Sequence, residues 1–550
     1  MRRSRDLVRP NLPELDFVYA APAAIASHLQ PPKRTARPAF AVVVVALLLF
    51  QAPPAVARDR FDGVRESIRT MLVERRVPSV AVAVAQHGRI LWEEGFGLAD
   101  RERNIPATAN TMYSLASISK PLTATALMTL VRAGKIDLDK PINDYLGTAK
   151  LTARVGDARD ATIRRVADHS SGLPEYHQFF YYNEPWRRPS VDETIRRYGN
   201  LVAPPGEHFE YSNLGYGVLS DVISRVSGKS FADYMRDAVF RPLGMARTAV
   251  RPDPSPSDGQ AIGYDDHGEP IPYYNTDHDG ASAVYASAHD LVRFGMFSLK
   301  AHLVDQTAVL PDSLIDAMQA PAVDQGDGTW YGLGWEISHA SGYRIVSHDG
   351  GMPGVRTELR LVPAAGLAVV VLCNANDRIA PMVADEILAV MLPNYNVPSN
   401  PPKPQRPDFV PPPELVGIWK GKISTYSADL PLTLQVMASG EVQVELGSQL
   451  KTLLNHPHIS SDGYLVGAAD GSLEIADAAR RPYVLAFKLK LRGKTLSGAV
   501  KAAADDDGVM STNGLYPAVA GYPQPDHVQT HAFLLPQWAE LIKQQDALPN

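Results

Sequence analysis

The chain of 550 residues contains a single cysteine, Cys373. An internal disulfide is therefore impossible, and metal sites built from paired cysteines are excluded. The sequence also lacks a P-loop, a G-x-G-x-x-G fingerprint after a predicted strand, and metal-ligand spacing of histidines and carboxylates. These absences argue against nucleotide-dependent and metal-dependent chemistry, and we predict a reaction that needs no metal and no organic cofactor.

An excess of positive charge is also missing. The chain has 54 Lys and Arg against 60 Asp and Glu, and its basic part is residues 1–57, with seven basic and three acidic side chains. The remainder is more acidic than the whole, which argues against nucleic acid or an anionic membrane as the main partner. A hydrophobic content of 45% and a charged content of 21% are typical of a globular chain. The length indicates more than one domain.

Long hydrophobic runs are absent as well. The uninterrupted apolar run at 39–50 has 12 residues, which is short for a membrane span but suits the core of a secretory signal. Basic residues precede it, and Ala55-Val56-Ala57 offers small residues before a cut. We predict that 1–57 is an export signal with an N-terminal segment, which places a bacterial protein in the periplasm or outside the cell. An uncleaved anchor and a buried core helix are the alternatives.

The body of the chain begins and ends with predicted strands around a helical middle. The predicted helices cover 61–74, 115–133, 216–228 and 230–237, and the predicted strands lie at 79–92 and near 344–373. Strands from the two ends can pair into one antiparallel sheet that helices cover. We therefore predict an α+β domain over 60–395.

Prolines then mark a boundary, with eight between residues 398 and 413. This composition predicts a stiff linker over 396–413. The following sequences E-V-Q-V-E-L and F-K-L-K-L-R alternate apolar and polar residues, which predicts a small antiparallel β-barrel over 414–505. This second domain continues with its tail to 550, and residues 536–545 are expected to form a short helix.

Ser117 and Lys120 are three residues apart at the start of a predicted helix. A serine hydroxyl is a poor nucleophile without an adjacent base, and a neutral amine can serve as one. The helix dipole and the apolar residues that follow both lower a lysine pKa at this position. Ser448 and Lys451 have the same spacing, but they do not open a buried helix, and we assign them no role.

Tyr211 and Asn213 form a second element, in a short loop before a predicted helix. A tyrosine hydroxyl beside a cationic lysine loses its proton more easily and can act as general base or acid. The asparagine amide can hold a substrate carbonyl or Lys120. Three other Tyr-x-Asn sequences lack this context, namely 181–183, 198–200 and 273–275.

His348-Asp349-Gly350-Gly351 is the third element, and it ends a predicted strand. Two glycines at a strand edge allow a substrate to approach the backbone closely. The amides of Gly351 and Ser117 are predicted to form an oxyanion hole. A second His-Asp-Gly sequence at 278–280 has no strand around it. A purely structural histidine is the alternative at 348.

The order and spacing of these three elements resemble those of the penicillin-recognising serine hydrolases. This superfamily includes class C β-lactamases, D,D-peptidases, D-aminopeptidases and related esterases. Three further stretches are similar to the family and extend the resemblance over 60–395, namely H-S-S-G-L-P (169–174), P-G-E-H-F-E-Y-S-N-L-G-Y-G (205–217) and R-P-L-G-M (241–245).

The resemblance implies a β-lactamase-like sandwich with the site between a helical region and the sheet. It also implies an acyl-enzyme on Ser117, with Lys120 and Tyr211 as the pair that moves its proton. Asn213 and His348 would orient the substrate. The region 414–505 is similar to the lipocalin-like barrels that follow some of these peptidases.

One departure from the family pattern bears on the substrate. Dedicated β-lactamases of this kind usually carry Lys-Thr-Gly where this chain has His348-Asp349-Gly350, and a histidine is near neutral at pH 7. This resembles the D-aminopeptidase and esterase branches, so a small peptide with D-residues or a small ester is predicted over a β-lactam-like substrate. A true β-lactamase or D,D-carboxypeptidase, and a catalytically weak protein that binds through its barrel, are the alternatives.

Overall fold

A computed structural model describes residues 59–252, 259–397, 408–505 and 531–545 of the chain. The predicted export signal lies outside these residues, as does most of the predicted linker. Within the described ranges, no helix is both long enough and apolar enough to cross a membrane. The α-helices are α1 (Asp62–Glu74), α2 (Ser119–Arg132), α3 (Ile163–Ala167), α4 (Val191–Tyr198), α5 (Asn213–Ser227), α6 (Phe231–Met235), α7 (Asp279–Ser282), α8 (Ala288–Ser298), α9 (Asp312–Met318) and α10 (Ile379–Met391).

The strands fall into two groups along the chain. The first group is β1 (Ser79–Gln86), β2 (Arg89–Asp100), β3 (Ile105–Pro106), β4 (Met112–Ser114), β5 (Thr152–Ala153), β6 (His177–Tyr181), β7 (Asn200–Leu201), β8 (Thr248–Val250), β9 (Tyr274–Thr276), β10 (Val284–Ser287), β11 (Val323–Asp324), β12 (Trp330–Tyr331), β13 (Glu336–Ala340), β14 (Tyr343–Met352), β15 (Val355–Val362) and β16 (Leu367–Cys373). The second group is β17 (Gly417–Ser424), β18 (Asp429–Val436), β19 (Val442–Leu446), β20 (Thr452–Leu453), β21 (Asn455–Ile459), β22 (Tyr464–Ala469), β23 (Val484–Arg492), β24 (Thr495–Asp505) and β25 (His531–Gln545).

The main sheet joins the start and the end of the first region. Its strand order is β11-β12-β13-β14-β15-β16-β1-β2-β3, and β1 pairs antiparallel with β16 so that Val82 lies opposite Val371. Two smaller groups, β4-β10-β8 and the parallel pair β5-β7, lie outside this sheet. The predicted fold class, an α+β sandwich with an antiparallel sheet and a following antiparallel barrel, is confirmed.

The alternation in β1 explains why helices cover both faces of the sheet. Its small residues Ala81, Ala83 and Ala85 belong to the core shared with the helical region, whereas Val80, Val82 and Val84 belong to the core beneath α1 and α10. Side chains of a strand point to opposite faces in turn, so an Ala-Val repeat buries both sides. The result is a three-layer arrangement with α1 and α10 outside and the helical region opposite.

Helix α2 is the centre of the helical region, and it fixes the position of the site. Every residue from Ser119 to Leu130 is buried. A short 3₁₀ turn, Ala116–Ile118, leads into it. We call this the nucleophile turn because it carries Ser117, the predicted nucleophile. Ala116 has a φ of 47°, a left-handed conformation that costs a non-glycine residue energy and is found most often at functional sites.

The C-terminal strands form a nearly closed antiparallel barrel, with the order β20-β19-β18-β17-β25-β24-β23-β22-β21. The two end strands, β20 and β21, follow each other directly in the chain. The expected helix at 536–545 is wrong, since these residues belong to β25, which pairs with β17 on one side and β24 on the other. Two strand partners override the local helix preference of this tail. The likeness of the barrel to lipocalins stays a prediction.

Candidate active site

Ser117 and Lys120 meet at the start of α2. The Ser117 side chain is partly exposed, whereas Lys120 is completely buried. Lys120 Nζ and Ser117 Oγ are within hydrogen-bonding distance, at 3.0 Å. The structure therefore brings the predicted nucleophile and its predicted base within proton-transfer distance.

Two further acceptors hold the Lys120 amine in place. Nζ donates to Asn213 Oδ1 at 2.8 Å and to the Ala281 carbonyl oxygen at 3.2 Å. Burial lowers the pKa of Lys120 well below its ordinary value of 10.5, although the negative charges of Asp349 and Glu336 act to raise it. Burial thus shifts Lys120 toward the neutral amine, the form that can accept the serine proton.

Tyr211 and Asn213 lie on the loop that enters α5. The helix begins here because the Ser212 side chain accepts a hydrogen bond from the Gly215 amide at 3.3 Å, which caps its first turn. Lys120 Nζ lies 4.6 Å from the centre of the Tyr211 ring. The loop therefore brings both predicted residues of the second element to the buried amine.

The protonation of Tyr211 differs from the sequence expectation. Burial raises the pKa of Tyr211 well above 10.0, and a hydrogen bond with Ser117 acts in the opposite direction. A cationic lysine was expected to ease proton loss from this phenol, but burial disfavours the charged form of both groups. Tyr211 is therefore a proton donor near pH 7.

His348 lies in the wall of the site. Its ring is 1% exposed, its Nε2 is 2.9 Å from the Tyr331 hydroxyl, and its Nδ1 is 2.7 Å from the Asp349 carbonyl oxygen. Burial and the nearby Lys120 lower the pKa of His348 to about 4. The ring is neutral near pH 7, with Nδ1–H donating to the carbonyl oxygen and Nε2 accepting from the tyrosine. Contact between this ring and a substrate stays a prediction.

The strand that carries the third element is open along one edge. β13 pairs with β14 as far as Glu336 and Ser347, and the following residues of β14 pair with β15. In the described part of the chain, the nucleophile turn packs against this end of β14. The sheet thus presents an unpaired length of backbone beside Ser117. Gly351 lies there and is partly exposed, and its share in an oxyanion hole stays a prediction.

Gly350 packs closely against the chain that leads into the nucleophile turn. A Cβ at this position would lie 2.3 Å from the Leu115 carbonyl oxygen and 2.3 Å from Thr357 Oγ1. The chain leading into the nucleophile turn therefore approaches the backbone closely here, and contact between Gly350 and a substrate stays a prediction. Thr357 Oγ1 fixes this approach by donating to the Leu115 carbonyl oxygen at 3.0 Å.

We expect Gly350→Ala to destabilise the protein by about 2–3 kcal/mol, because the Leu115 carbonyl oxygen and Thr357 Oγ1, both at 2.3 Å, must move to admit a methyl group. Gly351→Ala is the matched control, since its Cβ would meet the flexible end of Arg356 at 3.0 Å. That variant is expected to change stability by less than about 1 kcal/mol. Denaturant unfolding of both variants checks this, and equal stabilities would contradict the tight contact.

The second His-Asp-Gly sequence lies beside the site, although its pattern gives no reason to expect this. The Gly280 carbonyl oxygen accepts from Thr123 Oγ1 of α2 at 2.8 Å, and a Cβ on Gly280 would lie 2.3 Å from the Tyr216 carbonyl oxygen of α5. This close packing holds α7 between the two helices. It presents the Ala281 carbonyl oxygen to Lys120, a role for which the sequence carries no signal.

The His169 ring packs against the rings of Tyr211 and Tyr331. Its ring centre is 4.4 Å from that of Tyr211 and 4.7 Å from that of Tyr331. Its Nδ1 accepts from the Ser212 amide at 3.1 Å, and burial lowers the pKa of His169 well below 6.5. The neutral ring therefore packs against the phenol without adding a charge. Its position at the start of H-S-S-G-L-P is the sequence signal for it.

Glu336, His348 and Asp349 are the described residues that come nearest to a metal-ligand group, with ligand atoms within 4.8 Å of one another. Both His348 nitrogens already have hydrogen-bond partners, and Asp349 pairs with Arg356 at 2.7 Å. These donors are engaged in contacts within the protein, so the group gives no reason to infer a bound cation.

Two curated relatives are similar to more than half of this chain. Unguisins hydrolase ungD' of Aspergillus campestris is 29% identical over 333 residues, which cover 56% of this chain and 60% of that protein. Penicillin-binding protein 4* of Bacillus subtilis is 29% identical over 323 residues, which cover 53% of this chain and 68% of that protein. The chain thus spans about three fifths of the fungal hydrolase.

The fold likeness extends further along the chain. The solved structure of SurE with D-Leu aligns with 80% of this chain and 97% of its own, with a TM-score of 0.56 and 22% sequence identity. Such an identity shows the fold alone. The family profile described as Beta-lactamase matches residues 64–390, which is more than half of the chain. With the sandwich fold and this match together, the chain belongs to the β-lactamase family.

Proposed function

We propose that this protein is a serine hydrolase that cleaves an amide or ester bond through an acyl-enzyme on Ser117. The observation that carries the proposal is the buried Lys120 amine, which lies 3.0 Å from Ser117 Oγ and whose pKa burial lowers well below its ordinary value. Burying a cation without a carboxylate partner costs free energy, and residues that break such a rule are expected at functional sites. Activation of a nucleophile is one such function.

The protonation states of Lys120 and Tyr211 decide which group accepts a proton and which donates one during acylation. Neutral Lys120 takes the proton from Ser117 as its Oγ attacks the substrate carbonyl. The amides of Ser117 and Gly351 then stabilise the oxyanion. Tyr211, protonated and hydrogen-bonded to Ser117, delivers a proton to the leaving group. The Lys120 ammonium then returns its proton to Tyr211, which makes both groups neutral again. Water attacks the acyl carbon, one of its protons passes through Lys120 to Ser117 Oγ, and the bond to Oγ breaks to release the acid.

A short peptide with a D-residue, or a small ester, is the proposed substrate class. The place of a permanent cation in the third motif is taken by His348, whose pKa of about 4 leaves it uncharged. A substrate carboxylate, such as that of a penicillin, gains no ion pair there. The SurE structure that carries D-Leu supports a substrate with a D-residue, and the name of the similar unguisins hydrolase supports a hydrolytic reaction.

Intact mass measurement after incubation with a fluorophosphonate and, separately, a penicillin tests the proposal. We expect a stable fluorophosphonate adduct on the wild type and none on Ser117→Ala, because the activated hydroxyl is the group that reacts. A stable penicillin adduct would instead favour a penicillin-binding peptidase. An absence of adducts from both reagents would contradict a hydrolase and favour a protein that binds through its barrel.

A further inference from the structure

One outer face of the barrel contacts the loop that carries Tyr211. β23 alternates between buried apolar residues that face the barrel core and charged residues that face outward. The outward residues Lys488 and Lys490 form ion pairs with Glu210 and Glu207 of the loop. The lysines on this outer face of the barrel therefore connect the barrel to the loop that carries Tyr211.

Glu210, directly before Tyr211 in the chain, is the centre of this contact. Lys488 Nζ lies 2.5 Å from Glu210 Oε2. Lys501 of the neighbouring strand β24 lies 3.7 Å from Glu210 Oε1 and 3.1 Å from Glu175 Oε2. Its side chain is 2% exposed, so this ammonium sits almost wholly within the protein. We call Lys488, Lys501 and Glu210 the Glu210 clamp.

The charges of the clamp depend on one another. Burial by itself raises the pKa of Glu210, but Lys488, His208 and Lys501 hold it well below its ordinary value. Burial likewise disfavours the Lys488 cation, yet its pKa is raised because Glu210 stabilises the charge. Removing Lys488 leaves the buried Glu210 carboxylate with only the longer contact to Lys501, at 3.7 Å, and to His208, which is more costly than losing a surface pair.

The clamp is connected to the site by the backbone on both sides of Tyr211. The Glu210 amide donates to the His169 carbonyl oxygen at 2.8 Å, and the Ser212 amide donates to His169 Nδ1 at 3.1 Å. The His169 ring packs against Tyr211 with ring centres 4.4 Å apart. Tyr211 is therefore held between two anchored neighbours, and one of them is fixed by the barrel.

The barrel is joined to the same part of the molecule by strand pairing. Phe533 and Leu534 of β25 pair with Gln178 and His177 of β6, which follows Glu175 in the chain. Lys501 thus bridges two loops, one ending at β6 and the other carrying Tyr211. This geometry fixes both loops relative to the barrel wall.

We propose that Lys488 and Lys501 are positioning residues, which act through Glu210 to hold the Tyr211 hydroxyl at Ser117. The inference rests on the proposed hydrolase function. It makes the barrel a structural part of the active site, although none of its clamp residues touches the reacting atoms. A proton donor displaced by about 1 Å loses about 100-fold in rate.

Steady-state kinetics with a small ester tests the proposal on the full chain. We expect Lys488→Met to lower kcat about 10- to 100-fold, with KM changed less than about twofold, because the acid is misplaced and substrate binding is not. Lys488→Arg is expected to restore most of the loss. Lys422→Met removes an exposed barrel lysine paired with Asp429 at 2.6 Å, and it should leave kcat unchanged.

A double-mutant cycle separates positioning from a general loss of structure. In a Tyr211→Phe background the donor is already absent, so Lys488→Met should lower kcat no further. Glu210→Gln, which keeps the side-chain shape, should behave in the same way if Lys488→Met folds poorly. A loss that persists undiminished in Tyr211→Phe for both variants would overturn the proposal.

The failure of each proposal has its own result. If the wild-type protein hydrolyses no ester and forms no fluorophosphonate adduct, the proposed hydrolase function is wrong, and so is the positioning role that rests on it. If the wild type is active and the clamp variants keep its kcat, the positioning role alone is wrong.

Discussion

The Ser117→Ala variant is expected to lose at least about 10⁴-fold in kcat/KM for any substrate that the protein hydrolyses. The hydroxyl that forms the covalent intermediate is absent, whereas the fold remains, because Ser117 is partly exposed and lies at the surface of the nucleophile turn. Ester hydrolysis followed at substrate concentrations above and below KM measures this loss.

Ser448→Ala is the matched control for this expectation. Ser448 and Lys451 repeat the spacing of Ser117 and Lys120, but Ser448 lies in the turn after β19 and Lys451 pairs with Glu445 at 3.9 Å. Its kcat/KM should equal that of the wild type. If the Ser117→Ala variant still hydrolysed the ester substantially, the nucleophile would be another residue. That result would contradict the proposed acyl-enzyme on Ser117.

The sequence contains most of the information that places the nucleophile. Spacing of three residues sets Lys120 beside Ser117, and the apolar run of α2 buries that lysine, so local periodicity predicts both the contact and its lowered pKa. The Ala-Val alternation of β1 predicts a strand in the same way. These features depend on residues close together in the chain, where pattern and structure correspond.

Features that depend on residues far apart in the chain cannot be predicted from local sequence patterns. The tail at 536–545 resembles a helix by composition, yet β17 and β24 supply two strand partners that a local pattern cannot show. Lys488 and Lys501 resemble ordinary surface lysines until the loop with Glu210 is folded against them. The contact between Lys120 and the Ala281 carbonyl oxygen uses a backbone atom that every residue has. The residue type at 281 therefore gives no indication of it.

The protonation of Tyr211 shows how burial changes a role predicted from residue types. A lysine and a tyrosine side by side predict an ammonium that eases proton loss from the phenol. In the folded protein burial lowers the pKa of Lys120 and raises that of Tyr211, which shifts both groups toward their neutral forms. In the proposed mechanism the amine is therefore the base and the phenol is the acid.

Lys120→Arg distinguishes these two assignments. An arginine keeps the positive charge but does not release its proton at accessible pH. If Lys120 is the base, we expect Lys120→Arg to lose about 10³-fold in kcat. If the cation serves to lower the pKa of Tyr211, the variant should retain much of its activity. Single-turnover acylation of each variant, read by mass, gives the answer independently of deacylation.

The dependence of stability on pH checks the same assignment without any substrate. The folded pKa of Lys120 is below the unfolded value of 10.5, so between the two the unfolded chain binds a proton that the folded chain lacks. The unfolding free energy of the wild type, relative to Lys120→Met, should therefore rise with pH across that window.

Lys488→Met is the matched control for this titration, because the folded pKa of Lys488 is raised and not lowered. Below pH 10 both the folded and the unfolded chain carry that proton, so the difference between wild type and Lys488→Met should stay nearly constant. A flat profile for Lys120→Met as well would mean that the folded protein keeps the Lys120 proton. Lys120 would then be a cation in the resting site, and the base that activates Ser117 would have to be Tyr211.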